Sequence, residues 1–122
     1  MSDWRELTNA RTGETVLAQA KWCASHWCRL KGLMFAKNLP PMEGLLFVYG
    51  NESVIGTSIH MMFMRFTIGV VWLDSQGVVV DKTLAKPWRL SYAPQKAAQY
   101  FIEANPDILD RVEIGDQLNF DQ

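Results

Sequence analysis

The stretch from Ile68 to Val80 limits the fold more than any other part of the chain. Ile68-Gly-Val-Val-Trp-Leu73 is a continuous apolar run of strand length, Asp74-Ser-Gln-Gly77 follows, and Val78-Val-Val80 resumes the apolar run. Asp favours the opening of a type I turn and Gly accepts the positive φ that closes it, so the two runs are expected to fold back antiparallel. The pattern predicts a β-hairpin over Val70 to Val80, turning at Ser75 to Gly77.

Further strands are read on either side. Thr15 to Ala20 follows the polar Arg11-Thr-Gly13 turn, and Leu45 to Tyr49 is opened by Gly44 and closed by Gly50-Asn51. Ile55 to Met64 is a second apolar run, interrupted by Gly56, and Gln117 to Phe120 makes a last strand after Gly115-Asp116. Two helices are expected. From Ala24 to Lys31, Trp27, Leu30 and later Met34 recur at helical spacing, with Ser25 near the start and Gly32 as the C′ residue. Pro94 suits a first helical turn, after which Ala97, Ala98, Phe101 and Ile102 form an apolar stripe until Asn105-Pro106. Asn38-Leu-Pro-Pro41 is a loop, because neither proline can donate a main-chain hydrogen bond. The order strand, helix, several strands, helix, strand predicts a mostly β, α+β fold: a small antiparallel β-sandwich or barrel-like domain with two short helices packed on it.

A chain of 122 residues, 48% of them apolar, supplies one sizeable core, so residues 1–122 read as a single domain with its core at about 15–120. Twelve basic residues against thirteen acidic ones disfavour nucleic acid as a partner. The charges are unevenly spread: residues 29–96 hold eight basic and four acidic residues, and residues 97–122 hold one basic and six acidic. The chain opens Met-Ser-Asp-Trp-Arg-Glu, which is polar where a secretory leader would be apolar. Its most apolar stretch, Ser53 to Met64, falls short of the roughly 20 residues that span a bilayer. A cytoplasmic protein without a membrane span is expected. Only Cys23 and Cys28 are present, too few for a disulfide scaffold in a reducing compartment.

A family resemblance runs from about Val16 to Phe120. Arg29-Leu-Lys-Gly-Leu-Met34 is similar to an Arg-x-x-Gly-Leu-Met signature, and Gly44-Leu-Leu-Phe47 to a Gly-Met-Leu-Phe strand. His60-Met-Met-Phe-Met-Arg-Phe-Thr-Ile-Gly-Val-Val-Trp-Leu-Asp74 resembles a longer His-to-Asp segment, and Lys86-Pro-Trp-Arg89, Tyr100-Phe-Ile-Glu103 and Gly115-Asp116-Gln-Leu118 match closing elements. In this order the motifs resemble the family known as domain of unknown function 192. The resemblance implies a small β-sandwich or barrel-like domain with helices packed on it, and transfers no catalytic residue. Gly69, Thr67 and Asn105 depart from the family's usual Asp, Pro and Gly.

Several residues carry chemistry that must be weighed against plain structural roles. Cys23, His26 and Cys28 have zinc-ligand character, yet on a helix Cys28 leaves the face shared by the other two and no second pair completes a tetrahedral site. No metal or cofactor is expected. Met61, Met62 and Met64 read as core packing, since alternate strand residues face opposite ways. His60, with Asp74 or Asp116 as orienting carboxylate, has the makings of a general base, although both aspartates sit beside turn glycines where Asp commonly caps main-chain N–H groups. Arg65 breaks an apolar run and is expected to be paired, either structurally with a carboxylate inside the domain or functionally with a ligand. Pro87-Trp88-Arg89 puts an aromatic plane beside a guanidinium, a combination suited to a carboxylate, phosphate or sugar.

Arg29, His60, Arg65, Trp88 and Arg89 therefore form the candidate ligand-binding set, with internal pairing of Arg29 and Arg65 to Asp74, Glu103 or Asp116 as the structural alternative. The leading expectation is a non-catalytic binding or accessory module for a small polar or anionic ligand. A small, hydrolase-like enzyme using His60 with a nearby carboxylate is the first alternative. A protein-interaction or scaffold module is the second.

Overall fold

The computed structural model describes residues 3–120. Seven strands and one helix follow in the order β1 Trp4–Asn9, β2 Thr15–Cys23, α1 His26–Lys31, β3 Glu43–Ser53, β4 Ile68–Leu73, β5 Val79–Ala85, β6 Ala98–Ala104 and β7 Leu118–Asn119, with a short 3₁₀ segment at Pro106–Asp110. All seven strands join one sheet in the order β5-β4-β6-β3-β2-β1-β7. Among the described residues only β2 and β3 pair in parallel, joined by the crossover that carries α1. The sheet curls into a half-barrel whose outer strands meet at one end. Val79 N donates to Asp116 O at 2.8 Å, Gly115 N to Val79 O at 2.8 Å and Leu118 N to Gly77 O at 3.0 Å.

The hairpin stands where the sequence puts it. β4 and β5 pair antiparallel, Gly77 takes φ 81°, and Asp74 Oδ1 accepts from Gln76 N and Val78 N at 2.8 and 3.0 Å. Asp74 is thus a turn-capping residue. Every residue of β4 is buried, and its side chains alternate between two clusters. Val71 and Leu73 join Leu7, Leu46, Ile102 and Ile108 on one face, while Ile68, Val70 and Trp72 join Phe47, Met61 and Phe101 on the other.

The second expected helix is a strand. Residues 97–104 are apolar enough to fit either period, and pairing decides: β6 lies between β3 and β4, bonded to both. An interior strand buried on both faces shows no alternation, so its sequence imitates a helical stripe. The packed helices reduce to α1 alone among the described residues, and α1 buries none of its residues. Trp27 and Leu30, expected to face the core, are exposed. Ile55 to Met64 is not a strand either. Ser53 and Ser58 bond the local main chain, Thr57 Oγ1 donates to Ser53 O at 2.6 Å, and these contacts curl the segment into a loop. Trp72 Nε1 clamps that loop by donating to Thr57 O at 2.7 Å. β1, which the sequence reading passed over, runs between β2 and β7.

Cys23 and Cys28 form a disulfide, with Cα atoms 5.5 Å apart. The sequence reading, which took two cysteines as too few for a disulfide scaffold, is corrected here to the extent of this one bond. Cys23 ends β2, and the turn into α1 brings Cys28 back over it. Among the described residues no helix is long and apolar enough to cross a membrane.

Candidate functional site

A cavity of about 70 Å³ opens between α1, the loop after it, and the face of the sheet that carries Phe47 and Phe101. Its polar lining comes from Arg29, Lys31, Tyr49, Ser58, His60 and Glu103. The volume accepts a group of a few heavy atoms, well short of a drug-sized ligand.

Glu103 is the unusual member. It sits on β6 opposite Leu45 of β3 and Val70 of β4, is 7% exposed, and its Oε1 has no hydrogen-bond partner among the described residues. Burial pushes its carboxyl up to about 8, because removal from water penalises the charged form. At neutral pH the side chain is therefore chiefly a protonated acid, able to donate as well as accept. Above it, Gly32 ends α1 with φ 50° and ψ −130°. A side chain at Gly32 would enter the space over Glu103, so the glycine keeps the cavity open.

Arg29 forms the basic side of the cavity. It donates to Val48 O at 3.1 Å and lies over the Tyr49 ring, 4.8 Å from the centroid. Neither contact neutralises its charge. Burial raises the Tyr49 hydroxyl, with Arg29 partly opposing that shift. His60 is exposed at the rim, and its Nδ1 accepts from Met62 N at 3.3 Å. Pairing of Arg29 with Asp74, Glu103 or Asp116 is not found.

Arg65, Trp88 and Arg89 stand outside the cavity. Arg65 is exposed and makes no hydrogen bond or ion pair among the described residues, so the internal carboxylate partner, one of its two expected roles, is not found. Arg89 lies over Tyr92 at 5.5 Å, and its carbonyl accepts from Met61 N at 2.8 Å. Trp88 is 58% exposed with its ring edge toward Phe63 at 5.1 Å. Phe63 in turn stacks on Phe35 at 5.1 Å. The five candidates thus divide into Arg29 and His60 at the cavity and Arg65, Trp88 and Arg89 on the adjoining surface.

Asp116 belongs elsewhere. It accepts from Asn9 Nδ2 at 2.7 Å, Arg11 Nε at 2.6 Å and Glu113 N at 2.8 Å, and the Arg11 guanidinium holds its carboxyl well below the usual carboxylate range. This cluster ties the β1 end to the segment before β7, a structural role. Met61 and Met64 are buried in the core, whereas Met62 is exposed, so the core-packing reading does not hold for Met62. With both sulfurs in a disulfide, Cys23 and Cys28 have no thiolate to offer a metal.

Sequence reasoning missed Glu103 as a site residue. A lone acid inside the apolar run Tyr-Phe-Ile-Glu-Ala was the signal, but the sequence reading took Glu103 only as a pairing partner for Arg29 or Arg65. Phe35 and Phe63 were missed because exposure cannot be read from an aromatic residue alone.

The family model described as Uncharacterized ACR, domain of unknown function 192, matches residues 7–120. A UPF0127 protein of Pyrococcus furiosus is 36% identical over 118 residues, covering 95% of this chain and 98% of that one. A UPF0127 protein of Thermococcus kodakarensis is 40% identical over 108 residues, covering 88% and 67%. In three dimensions the chain is similar to a crystal structure from Sinorhizobium meliloti, named provisionally as a transcription regulator, with TM-score 0.83, 23% identity, and 98% and 96% of the two chains covered. A protein of unknown function from Novosphingobium aromaticivorans superposes with TM-score 0.74 at 15% identity, covering 95% and 83%. Both structural likenesses concern the fold.

Proposed function

The chain belongs to the domain-of-unknown-function-192 family, and within it we propose a binding role: a small polar or anionic ligand of a few heavy atoms held between Arg29 and Glu103. The observation that carries this reading is the unpartnered Oε1 of Glu103, buried yet lining a cavity. A buried polar atom without a partner costs roughly 1–3 kcal/mol, a cost that a bound ligand group would remove. Protonated Glu103 donates to an acceptor, Arg29 supplies the opposite-charge side, and a carboxylate or similar oxyanion satisfies both. His60 at the rim is a further donor or acceptor for the exposed end of such a ligand.

Calorimetric titration with a panel of small carboxylates, phosphate and monosaccharides tests the reading. At least one should bind the wild type, and its affinity should fall tenfold or more in Glu103→Ala and in Arg29→Ala. If no compound binds, or if both variants bind as well as the wild type, the reading fails.

A second reading, a small enzyme, is favoured by one specific property. A carboxyl raised to about 8 remains protonated at neutral pH and is poised as a general acid, with His60 lining the same cavity as a base. Turnover of esters or amides by the wild type, lost in Glu103→Gln, would select it over simple binding.

A further inference from the structure

The disulfide fastens one wall of the cavity to the other. Cys23, the last residue of β2, is fully buried and pairs in register with Phe47 of β3, whose ring lines the cavity. Cys28, half-buried in α1, is bonded back to it. Packing does little to hold α1 in place: the helix has six residues and buries none of them, and Trp27 and Leu30 face solvent. The core takes hold again at Leu33, just past the helix, so the segment that depends on the bond is 24–32.

That segment carries the basic side of the cavity and its cover. Arg29 follows Cys28 directly and reaches Val48 O at 3.1 Å. The Cys28 carbonyl accepts from Gly32 N at 2.9 Å, and Gly32 stands over Glu103, where a Cβ would fall 3.4 Å from Oε1. Cys28 therefore makes three connections: through sulfur to the sheet, through the chain to Arg29, and through its carbonyl to the residue that covers Glu103.

We propose that the Cys23–Cys28 bond is a redox latch on the cavity: a dithiol reduces it, α1 comes away from the sheet, and the site between Arg29 and Glu103 is lost until the bond re-forms. The inference rests on the reading of the cavity as a ligand site and adds its regulation. A thiolate of the dithiol attacks Cys28 Sγ, the more accessible sulfur, and a mixed disulfide forms as the Cys23–Cys28 bond breaks. Cys23 leaves as a thiolate and takes up a proton. The second thiolate of the reductant then attacks the reductant's own sulfur in the mixed disulfide, which closes a disulfide in the reductant and releases Cys28 to be protonated in turn. Two electrons and two protons have passed to the protein, and the dithiol is oxidised. Coupling between binding and reduction is reciprocal, so a ligand that favours the latched form opposes reduction by the same factor.

Two readouts test the latch on the full chain, oxidised, reduced with dithiothreitol, and as Cys28→Ser, which lacks the bond without any reagent. The first needs no ligand. The Glu103 carboxyl carbon is followed through pH by NMR of protein carrying carbon-13 glutamate, its signal assigned by its loss in Glu103→Gln. Arg29, Lys31, Tyr49 and His60 also surround the cavity, so only that signal is read. In the oxidised chain Glu103 should titrate at about 8. In the reduced chain and in Cys28→Ser it should titrate about one unit lower or more, as water reaches the carboxyl. The second readout is calorimetric titration with acetate, whose affinity should fall about tenfold or more on reduction and return on reoxidation. Acetate bound equally by both forms overturns the latch, as does a Glu103 titration that is the same in both. Fast amide exchange across β4 and β6 on reduction also overturns it, because the bond would then hold the whole fold and not the cavity wall. Acetate bound by neither form, with the Glu103 shift present, supports the latch and counts against the proposed ligand class, so the two readings fail separately.

Discussion

A Cβ placed on Gly32 would stand 3.4 Å from Glu103 Oε1 and 3.2 Å from Phe47 Cζ. Two constraints therefore meet at one residue: a backbone conformation that only glycine adopts readily, and a close approach to the carboxyl below. Gly32→Ala should cost roughly 1–3 kcal/mol and narrow the cavity. Chemical denaturation measures the first effect, and loss of ligand-induced stabilisation the second. A variant as stable as the wild type would contradict the Gly32 geometry.

Glu103 makes stability fall with rising pH. Its carboxyl is raised from an ordinary value of 4.5 to about 8, so between these values the folded chain holds a proton that the unfolded chain has lost. Its favourable contribution is complete below 4.5 and disappears as pH rises through about 8, at a limiting slope of about 1.4 kcal/mol per pH unit. Glu103→Gln keeps the shape without the titration. Denaturation midpoints followed from pH 5 to pH 9 should decline less steeply in the variant than in the wild type. Parallel pH profiles would show that Glu103 is ionised in the fold.

Asp116 acts in the opposite direction. Its carboxyl is lowered from an ordinary value near 3.8 by Arg11 and Asn9, so its contribution is present above that value and is lost as pH falls through the lower folded one. Asp116→Ala should cost about 2 kcal/mol or more at neutral pH, since it also removes one of the two acceptors of the buried Asn9 amide, leaving Arg111 O as the other. The gap between variant and wild type should shrink in acid. Urea denaturation at pH 7 and at pH 3 makes the comparison.

The Cys23–Cys28 bond anchors a helix of six residues that buries no side chain of its own. Helices this short do not persist unaided. Reduction, or Cys28→Ser, should lower stability by about 2 kcal/mol, the closure entropy expected for so short a loop. Amide hydrogen exchange should rise first in residues 26–32, while β4 and β6 stay protected. Uniform exchange across the chain would assign the bond a global role instead.

Local chemistry was legible in the sequence wherever one short segment decided the outcome. Asp74 and Gly77 announce their turn, Ser25 and Gly32 bound α1, and Gly44 opens a strand. Residues whose state depends on distant partners were not legible. Ala98 to Ala104 became a strand because β3 and β4 flank it, and the loop that replaced the expected strand at Ile55 to Met64 is held by Trp72 of β4 through Thr57 O. The candidate site shows the same division. Arg29 and His60 were identifiable by type and do share a cavity, whereas Glu103 needed β6 to be a strand before its burial could be seen. Arg65 was expected to be paired because it interrupts an apolar run, but that run loops outward and leaves it in solvent.

The pairing of β1 with β7 joins residues more than a hundred positions apart, and the segment leading into β7 also supplies the bonds that reach β5. Neither edge of the sheet can be secured until that late segment has left the ribosome, so the half-barrel cannot close before it does. Contacts of such sequence separation belong to slow-folding topologies, in the millisecond-to-second range. During that interval β1 and β5 are open templates for other strands, and chaperone demand should be greatest then.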